Sequence, residues 1–312
     1  MSQPDPSATA LQGVRARSAP GQELPAEARE ALHFNPGADA SGAGVLASIL
    51  DQGLYVSQFV TGTSNGGLTA FAGGDRWRWE QRIFGGAYDY VDVQHRPVYG
   101  ALDLDGDPYG PAPRFGSAHL RLRPETLARA TFAYPDSTFG PELFGVADRM
   151  GLIADFRRDE VVNDGAVAQR EGRCRDRLDL YIEAHVQGGV KVPDDVEALV
   201  VDPSFADHAV VENAGRCGLV VETHPGYVAE VAEIAAHPEY RGQDVVDLAQ
   251  RIAEDLANSM QLRPIHVARA RRCETSTGSR ARKSGTALRD SAGPGEPRRH
   301  FAGFISLSTT HL

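Results

Sequence analysis

The segment from Leu178 to Gln187 holds the residues best suited to chemistry in this chain. In its sequence, LDLYIEAHVQ, apolar and polar residues alternate strictly, which predicts a half-buried β-strand. Its polar face begins with Asp179 and continues with Tyr181, Glu183, His185 and Gln187, and among these last four Glu183 alone is a carboxylate. A carboxylate held on a rigid strand can stabilise positive charge on a reacting substrate. The face therefore suits the wall of an active site, and a solvent-facing strand is the alternative.

The elements that must position this face are mostly short strands. The pattern predicts strands over 31–35, 54–60, 97–104, 117–123, 180–186 and 196–201, and helices over 44–52, 75–83 and 124–129. Residues 226–260 predict two further helices, the second from Asp244 to Met260. Because strands and helices do not alternate regularly, we expect an α+β fold with two packed sheets around a cleft.

Composition divides the chain into four segments. Residues 1–30, rich in Pro, Ala, Ser and Glu, predict a mobile N-terminal arm or a short helix outside the core. Residues 31–205 predict one mixed domain, and residues 206–265 predict a helical extension of it. Residues 266–312 predict a basic, low-complexity tail that we expect to be disordered. The abrupt change before this tail would also fit a frameshift or a truncation.

Composition and charge exclude several classes of protein. With 312 residues, 41% of them hydrophobic, the chain can bury a full core. A net charge of -10 argues against nucleic acid as a partner, because phosphates require clustered cations. The cysteines Cys174, Cys217 and Cys273 are widely spaced without a CxxC pair, so we expect neither a disulfide framework nor a metal site.

The sequence also limits the cellular compartment in which we expect the protein. No apolar run approaches the length of a membrane span, and the N-terminus lacks a signal-peptide pattern. We therefore expect a soluble protein without a membrane partner, cytoplasmic by default. Export would require a route that is independent of a signal peptide.

Seven motifs carry a resemblance to a known family. They are HFNP (33–36), GLYVSQFVTGTSNGG (53–67), GGDRWRWEQRIFGGAYD (73–89), RPVYGAL (96–102), RFGSAHLRLRPETLARATFAYPDS (114–137), FGVADRMG (144–151) and YIEAHVQG (181–188). Together they resemble a bacterial family of formerly unknown function whose first motif usually reads FHPDR. That family is similar to the mono-ADP-ribosyltransferases. The resemblance runs in order over residues 30–255 and implies an ADP-ribosyltransferase-like split two-sheet fold with a C-terminal helical extension.

This resemblance implies transfer of ADP-ribose from NAD to a side chain of an acceptor protein. Such an enzyme breaks the N-glycosidic bond of NAD through an oxocarbenium-like transition state, as glycosidases do with their substrates. It needs a carboxylate beside the nicotinamide ribose, and we assign this role to Glu183. The acceptor is undetermined, because Tyr181 occupies the position where arginine-modifying members often carry Glu or Gln.

Two segments are predicted to clamp NAD. His33 and Asn35 share one face of the first core strand, although a satisfied histidine in the core or on the surface is equally compatible with this position. The second segment is the glycine-rich turn at 61–67, whose glycines let the backbone approach a ligand closely, although a simple turn without a ligand is equally compatible. The short polar side chains of this turn are Thr61, Thr63, Ser64 and Asn65.

A third segment, FGGAYD at 84–89, is similar to the glycine-tyrosine segment that sandwiches nicotinamide in some branches. Gly86 and Tyr88 are the matching residues, and Tyr88 could stack on the nicotinamide ring. Arg82 could bind the pyrophosphate. Tyr88 is equally compatible with a position in the core.

The chain departs from the family pattern at two places. Residues 34–38 read FNPGA, so the histidine and the Asp-Arg pair of FHPDR are missing. Residues 185–188 read HVQG where QVHG is frequent, as though the two polar side chains had exchanged places. Reduced activity, altered specificity and loss of catalysis are all compatible with these changes.

Three other functions compete with the transferase. A NAD glycohydrolase and a catalytically silent NAD-binding module would use the same site. The motif GTSNG at 62–66 fits the GxSxG nucleophile elbow and predicts a serine hydrolase that uses Ser64. The glycines that follow are poor helix formers, which disfavours the elbow. The motif GAGVLA at 42–47 fits GxGxxA but lacks the later acidic residue of a dinucleotide site.

Overall fold

The computed structural model describes residues 5–37, 44–62, 68–162, 168–170, 173–175, 177–238, 242–257 and 259–276. Its helices are α1 (Pro6–Arg15), α2 (Val45–Gln52), α3 (Gln58–Thr61), α4 (Asp75–Phe84), α5 (Leu152–Val162), α6 (Ala209–Arg216), α7 (Val231–Ala236), α8 (Gln243–Asp255) and α9 (Pro264–Ser276). Its strands are β1 (Arg29–Phe34), β2 (Leu54–Tyr55), β3 (Val98–Asp103), β4 (Ala118–Leu122), β5 (Ala130–Tyr134), β6 (Leu143–Val146), β7 (Ala168–Arg170), β8 (Arg173–Arg175), β9 (Ile182–Val186), β10 (Val190–Lys191), β11 (Val196–Val201), β12 (Val221–Thr223), β13 (Ala229–Glu230) and β14 (Gln261–Leu262).

Eight strands form one sheet in the order β12-β11-β4-β1-β3-β9-β5-β6. Neighbouring strands are antiparallel, except for the parallel pair of β11 and β12. Strand β3 lies between β1 and β9, with Ala101 opposite both Ala31 and Glu183. Because alternate residues of a strand point to the same side, His33, Tyr99 and Glu183 share one face of the sheet.

Helices cover both faces of this sheet. On the face opposite Glu183, Leu32 and Leu120 belong to a core that includes residues of α2 and α6, and Phe132 and Ile182 pack with residues of α5. On the face of Glu183, α1 and α4 cover the end formed by β5 and β6, where Trp79 packs near Ala133. The part of this face over β1 and β3 is where the site described below lies.

The expected α+β class is confirmed, but the described residues do not form the expected pair of packed sheets. The described strands form the eight-stranded sheet and three two-stranded ribbons, namely β2 with β10, β7 with β8 and β13 with β14. Amphipathic helices take the place of a second large sheet, since they supply the apolar surface that covers each face. No helix in the described ranges is long and apolar enough to cross a bilayer.

Most predicted elements are confirmed. Five of the six strands agree with the structure within two residues at each end, and α2 ends at Gly53 in the left-handed conformation. The strand over 54–60 is wrong beyond Tyr55, because the chain turns into α3, which Gly62 ends with φ 66°. The helix over 124–129 is a 3-10 helix that begins with Pro124. Strand β5 was missed because all five residues are buried, so the period-two signal is absent.

The N-terminal segment is part of the folded domain, which corrects the expected mobile arm. Helix α1 packs against α4 and β6. Its Ala10 and Val14 are fully buried in the cluster that contains Trp79. Arg15 also forms an ion pair with Asp148. Small apolar residues make this contact, so the sequence carried only a weak periodic signal.

The C-terminal part differs from the prediction in two respects. Strand β12, within the segment expected to be helical, joins the main sheet beside β11. Helix α8 ends at Asp255 rather than Met260, although its buried stripe, including Val245 and Ile252, is as predicted. Helix α9 begins before residue 266 and continues into the expected tail. The remainder of that tail, 277–312, lies outside the described residues.

A chain that ends at residue 265 should therefore be less stable than one that ends at residue 276. The shorter chain lacks Val267, which is 4% exposed, and the partly buried Ala268 and Ala270. Burial of one valine side chain contributes about 1.5–3 kcal/mol. We expect the midpoint of thermal unfolding to fall by several degrees, measured by calorimetry on both chains. Equal midpoints would contradict the packing of α9.

Candidate active site

An open pocket lies on the polar face of the main sheet, across β1, β3 and β9. Its empty space, which includes open solvent at the mouth, is about 560 Å³, and its cavity volume is about 70 Å³. Helices α3 and α4 form part of its wall. The polar side chains that line it include His33, Gln58, Arg76, Tyr99, Tyr181 and Glu183.

Glu183 reaches this pocket from β9 and is 6% exposed. Its Oε2 accepts a hydrogen bond from Ser137 Oγ at 2.8 Å, and its Oε1 lies 2.9 Å from His185 Nε2. Arg76 Nη1 donates to Ser137 Oγ at 2.7 Å and lies 4.0 Å from Glu183 Oε2. Because each carboxylate oxygen has a second lone pair, Glu183 can still accept hydrogen bonds from a ligand.

These contacts keep Glu183 ionised. Burial alone would raise the pKa of Glu183, but the hydrogen bond from His185 and the charge of Arg76 outweigh it, so its pKa lies below the ordinary value. The neighbouring Asp136 behaves oppositely, since burial and repulsion from Glu183 raise its pKa. The hydroxyl of Tyr181 donates to Asp136. Of the two carboxyl groups, Glu183 is thus the one that carries charge most readily.

Arg76 enters the pocket wall from the first turn of α4. Its side chain is 3% exposed, and its guanidinium lies over the Tyr99 ring, 4.1 Å from the centroid. Glu183 and Glu80 balance its buried charge. Glu80 lies one helical turn later and forms a buried ion pair with Arg96. Helix α4 therefore fixes a compensated cation beside the carboxylate of Glu183.

Two polar atoms of the pocket wall have no hydrogen-bond partner within the described part of the chain. They are Oε1 of Gln58, on α3, and Nε of Arg76. A buried polar atom left without a partner costs about 1–3 kcal/mol, so such atoms are normally paired with protein, water or ligand. Gln58 and Arg76 both line the pocket, so each brings a polar atom without a described partner to this part of the chain.

His33 lines the pocket, but the backbone already uses both of its ring nitrogens. Nδ1 donates to the carbonyl of Gly116 at 3.3 Å, and Nε2 accepts from the amide of Ala112 at 3.3 Å. Burial lowers the pKa of His33 to about 4, so the ring is neutral at pH 7. A Cβ at Gly110 would come within 2.5 Å of Nε2. His33 thus holds residues 110–116 in place. This agrees with the alternative in which protein groups, rather than NAD, pair with the ring nitrogens of His33.

Neither Asn35 nor Thr61 lines the described pocket. Asn35 follows the end of β1, where its Oδ1 accepts from the amide of Ser117 at 3.3 Å. Thr61 is exposed at the end of α3, and Gln58 is the residue of this helix that lines the pocket. The remaining three, Thr63, Ser64 and Asn65, lie outside the described residues, so the serine hydrolase stays a sequence prediction.

Arg82 does not reach the pocket. It lies six residues after Arg76 on α4, which places it about 240° around the helix axis. Its side chain is exposed, with the guanidinium 4.8 Å from the centroid of the Trp79 ring. Arg76, rather than Arg82, is therefore the arginine that α4 directs to the site.

Gly86 and Tyr88 also lie outside the pocket lining. Gly86 follows the end of α4 with φ 76°. Tyr88 is 1% exposed, its ring packs edge-on against Phe84, and its hydroxyl donates to Gln187. A ring enclosed in this way cannot stack on nicotinamide, so we leave both residues out of the candidate site.

Sequence reasoning missed Arg76, Ser137 and Gln58. Arg76 had only a weak signal, because its spacing of four residues from Glu80 on a predicted helix does not show which side of that helix is buried. Ser137 had none, since it meets Glu183 only through the pairing of β5 with β9. Gln58 was hidden by the wrong extension of the predicted strand beyond Tyr55.

A family model matches most of the chain. It is described as a protein of unknown function (DUF3626) and matches residues 29–164 and 157–289. The first match contains Arg76, and the second contains Glu183. A search of curated proteins finds no match.

Proposed function

We propose that this chain, which belongs to the family of proteins of unknown function (DUF3626), is an NAD-dependent mono-ADP-ribosyltransferase. The observation that carries the proposal is the carboxylate of Glu183, kept ionised by Ser137, His185 and Arg76 at the wall of an open pocket. The motif resemblance supports the same conclusion. A fixed anion of this kind suits a reaction in which positive charge develops on the substrate.

In the proposed reaction, the bond between nicotinamide and C1 of its ribose breaks. Nicotinamide leaves with the bonding electron pair as a neutral molecule, and positive charge develops on the ribose. The free lone pairs of Glu183 accept a hydrogen bond from the ribose 2′-hydroxyl, and its charge stabilises the cation. A nucleophilic side chain of the acceptor protein then bonds to C1 and releases one proton to solvent.

The two unpaired atoms of the pocket wall complement the carboxamide of nicotinamide. A carboxamide combines a carbonyl acceptor with an amino donor. Arg76 Nε can donate to the carbonyl, and Gln58 Oε1 can accept from the amino group. We assign to this pair the orientation of the nicotinamide ring, with the scissile bond toward Glu183.

Gln58→Leu should weaken the preference of the enzyme for a substrate that carries a carboxamide. The substitution removes the acceptor for the amino group, and one such loss costs about 1.4 kcal/mol, or roughly tenfold in kcat/KM for NAD. The measurement compares NAD with its deamidated analogue, nicotinic acid adenine dinucleotide, whose kcat/KM should change little. An unchanged ratio between the two substrates would contradict the assignment of Gln58.

The finer fold assignment is part of the proposal. We propose that the domain built on the main sheet is ADP-ribosyltransferase-like, on the support of the motif order and of the pocket across β1, β3 and β9. The altered first motif is compatible with this assignment. His33 is neutral and Asn35 has no charge, and Arg76 supplies a cation from α4 instead.

The direct test uses purified chain, cell lysate and NAD labelled in its adenine. Nicotinamide release together with labelled protein, located by mass spectrometry, would support the transferase and identify the acceptor. Release without labelled protein would make water the acceptor and the protein a NAD glycohydrolase. Binding of NAD in calorimetry without release would indicate a silent module, and absence of both would overturn the proposal.

A further inference from the structure

His185 joins Glu183 to a line of buried hydrogen bonds. Its Nε2 lies 2.9 Å from Glu183 Oε1, and its Nδ1 lies 3.0 Å from Thr131 Oγ1. Gln187 Nε2 donates to the same Thr131 oxygen at 3.2 Å. The hydroxyl of Tyr88 donates to Gln187 Oε1 at 2.5 Å. The line thus runs from the pocket through β9 and β5 to the segment after α4.

The hydrogen positions follow from the groups at the two ends. Gln187 Nε2 also donates to the backbone carbonyl of His185 at 3.1 Å, which fixes the orientation of the amide. Thr131 Oγ1 therefore accepts from Gln187, and its own hydrogen is free to donate to His185 Nδ1. An ionised Glu183 can only accept, so the hydrogen between Glu183 and His185 belongs to Nε2. With a neutral His185, every donor in the line points toward the carboxylate.

The surroundings of His185 favour this arrangement. The ring is fully buried, with edge or tilted contacts to Trp79, Phe84 and Tyr99 at centroid distances of 6.3, 5.7 and 4.9 Å. Water is thereby kept from the two ring nitrogens. Hydrogen bonds that point in one direction within a medium of low dielectric strengthen one another.

We propose that Thr131, Gln187 and Tyr88 form a positioning relay that fixes His185 as the Nε2–H tautomer and so keeps Glu183 oriented and ionised. The relay consists of positioning residues, because only Glu183 is assigned contact with the reacting ribose. This inference rests on the proposed function, since it concerns the carboxylate of the same site. It also accounts for both polar residues of the HVQG segment, which lie in one line of hydrogen bonds.

Other titratable groups face Glu183 and must stay unchanged in a test. Thr131 is a suitable position to substitute because its side chain makes its hydrogen bonds with His185 and Gln187, both members of the relay. A substitution at Thr131 leaves those groups chemically intact. They are Arg76 on α4, Asp136 before the 3-10 helix Ser137–Phe139, Tyr99 on β3 and Tyr181 beside β9.

The experiment compares Thr131→Val, which keeps the shape and removes the hydroxyl, with Thr131→Ser, which keeps the hydroxyl. Nitrogen-15 NMR of His185 should show the Nε2–H tautomer in the wild type and in Thr131→Ser, and a mixture with the Nδ1–H tautomer in Thr131→Val. In the NAD assay, Thr131→Val should lower kcat about tenfold with KM within about twofold, because Glu183 loses part of its alignment.

The pH profile gives a second readout. A carboxylate with a weaker hydrogen bond has a higher pKa, so the acidic limb of kcat in Thr131→Val should move up by about one pH unit. Thr131→Ser should stay within about twofold of the wild type in kcat at every pH. A merely structural effect of residue 131 would lower kcat without this shift.

Two results would overturn the relay. One is a wild-type His185 that is either the Nδ1–H tautomer or protonated on both nitrogens, which needs no variant to observe. The other is a Thr131→Val chain with unchanged tautomer and unchanged titration of the Glu183 carboxyl carbon. If the wild type does not turn over NAD, the proposed function fails, while the two NMR measurements still decide the relay.

Discussion

Glu183→Gln should lower nicotinamide release from NAD by a factor of about 100 or more, while the chain still folds. Glutamine keeps the shape of the side chain but carries no charge, so it cannot stabilise the positive ribose. Its amide group also cannot accept through both terminal atoms, which disturbs the contacts with Ser137 and His185. Chromatographic measurement of nicotinamide at saturating NAD gives the rate, and calorimetry gives the affinity for NAD.

Glu30→Gln is the matched control. Glu30 is fully buried on β1, two strands away, and it points to the opposite face, where Thr126 donates to it. Burial raises the pKa of Glu30 to about 7, so glutamine resembles its protonated form. We expect normal turnover in this variant. Full turnover by Glu183→Gln would show that catalysis does not need Glu183. Equal losses of turnover in both variants would indicate damage to the fold instead.

Arg96→Met should lower the free energy of unfolding by about 3–5 kcal/mol at pH 8, because it leaves the carboxylate of Glu80 buried without its ion-pair partner. Both side chains are 1% exposed. Arg96 also donates to the carbonyl of Tyr88 at 2.9 Å, and its guanidinium lies 3.8 Å from the centroid of the Trp77 ring. Urea-induced unfolding followed by fluorescence measures the loss.

The free energy of unfolding that is lost in Arg96→Met should depend on pH. Burial raises the pKa of Glu80 to about 7 against the opposing charge of Arg96, and removal of Arg96 raises it further. A carboxyl group whose pKa is raised by folding makes its full contribution to stability below about pH 4.3, the pKa of glutamate in the unfolded chain. That contribution is lost as the pH rises through the pKa of the folded state. The variant should therefore lie closer to the wild type at pH 5 than at pH 8.

The double variant Arg96→Met/Glu80→Met is the control for this ion pair. It removes both charges, so no buried carboxylate is left unpaired, and it should be more stable at pH 8 than Arg96→Met alone. A single variant within about 1 kcal/mol of the wild type would mean that Glu80 is solvated in the folded variant. A double variant no more stable than the single one would assign the loss to packing around Trp77.

The sequence predicts best those elements whose signal is local. The strand that carries Glu183 is confirmed because its two faces meet different surroundings, so apolar and polar residues alternate along it. Helix α2 is confirmed because Gly53 supplies a left-handed stop. Strand β5 and helix α1 lacked such signals, since β5 is buried throughout and α1 packs through small residues.

The site residues divide in the same way. Sequence alone determined a carboxylate, Glu183, on the polar face of a strand, because side chains two apart in a strand must share a face. Only the tertiary structure decided that Arg76 rather than Arg82 faces this carboxylate, because the packing of α4 on the sheet chooses which side of the helix is buried. The same holds for Ser137, 46 residues from Glu183 in the chain, since strand pairing brings the two together.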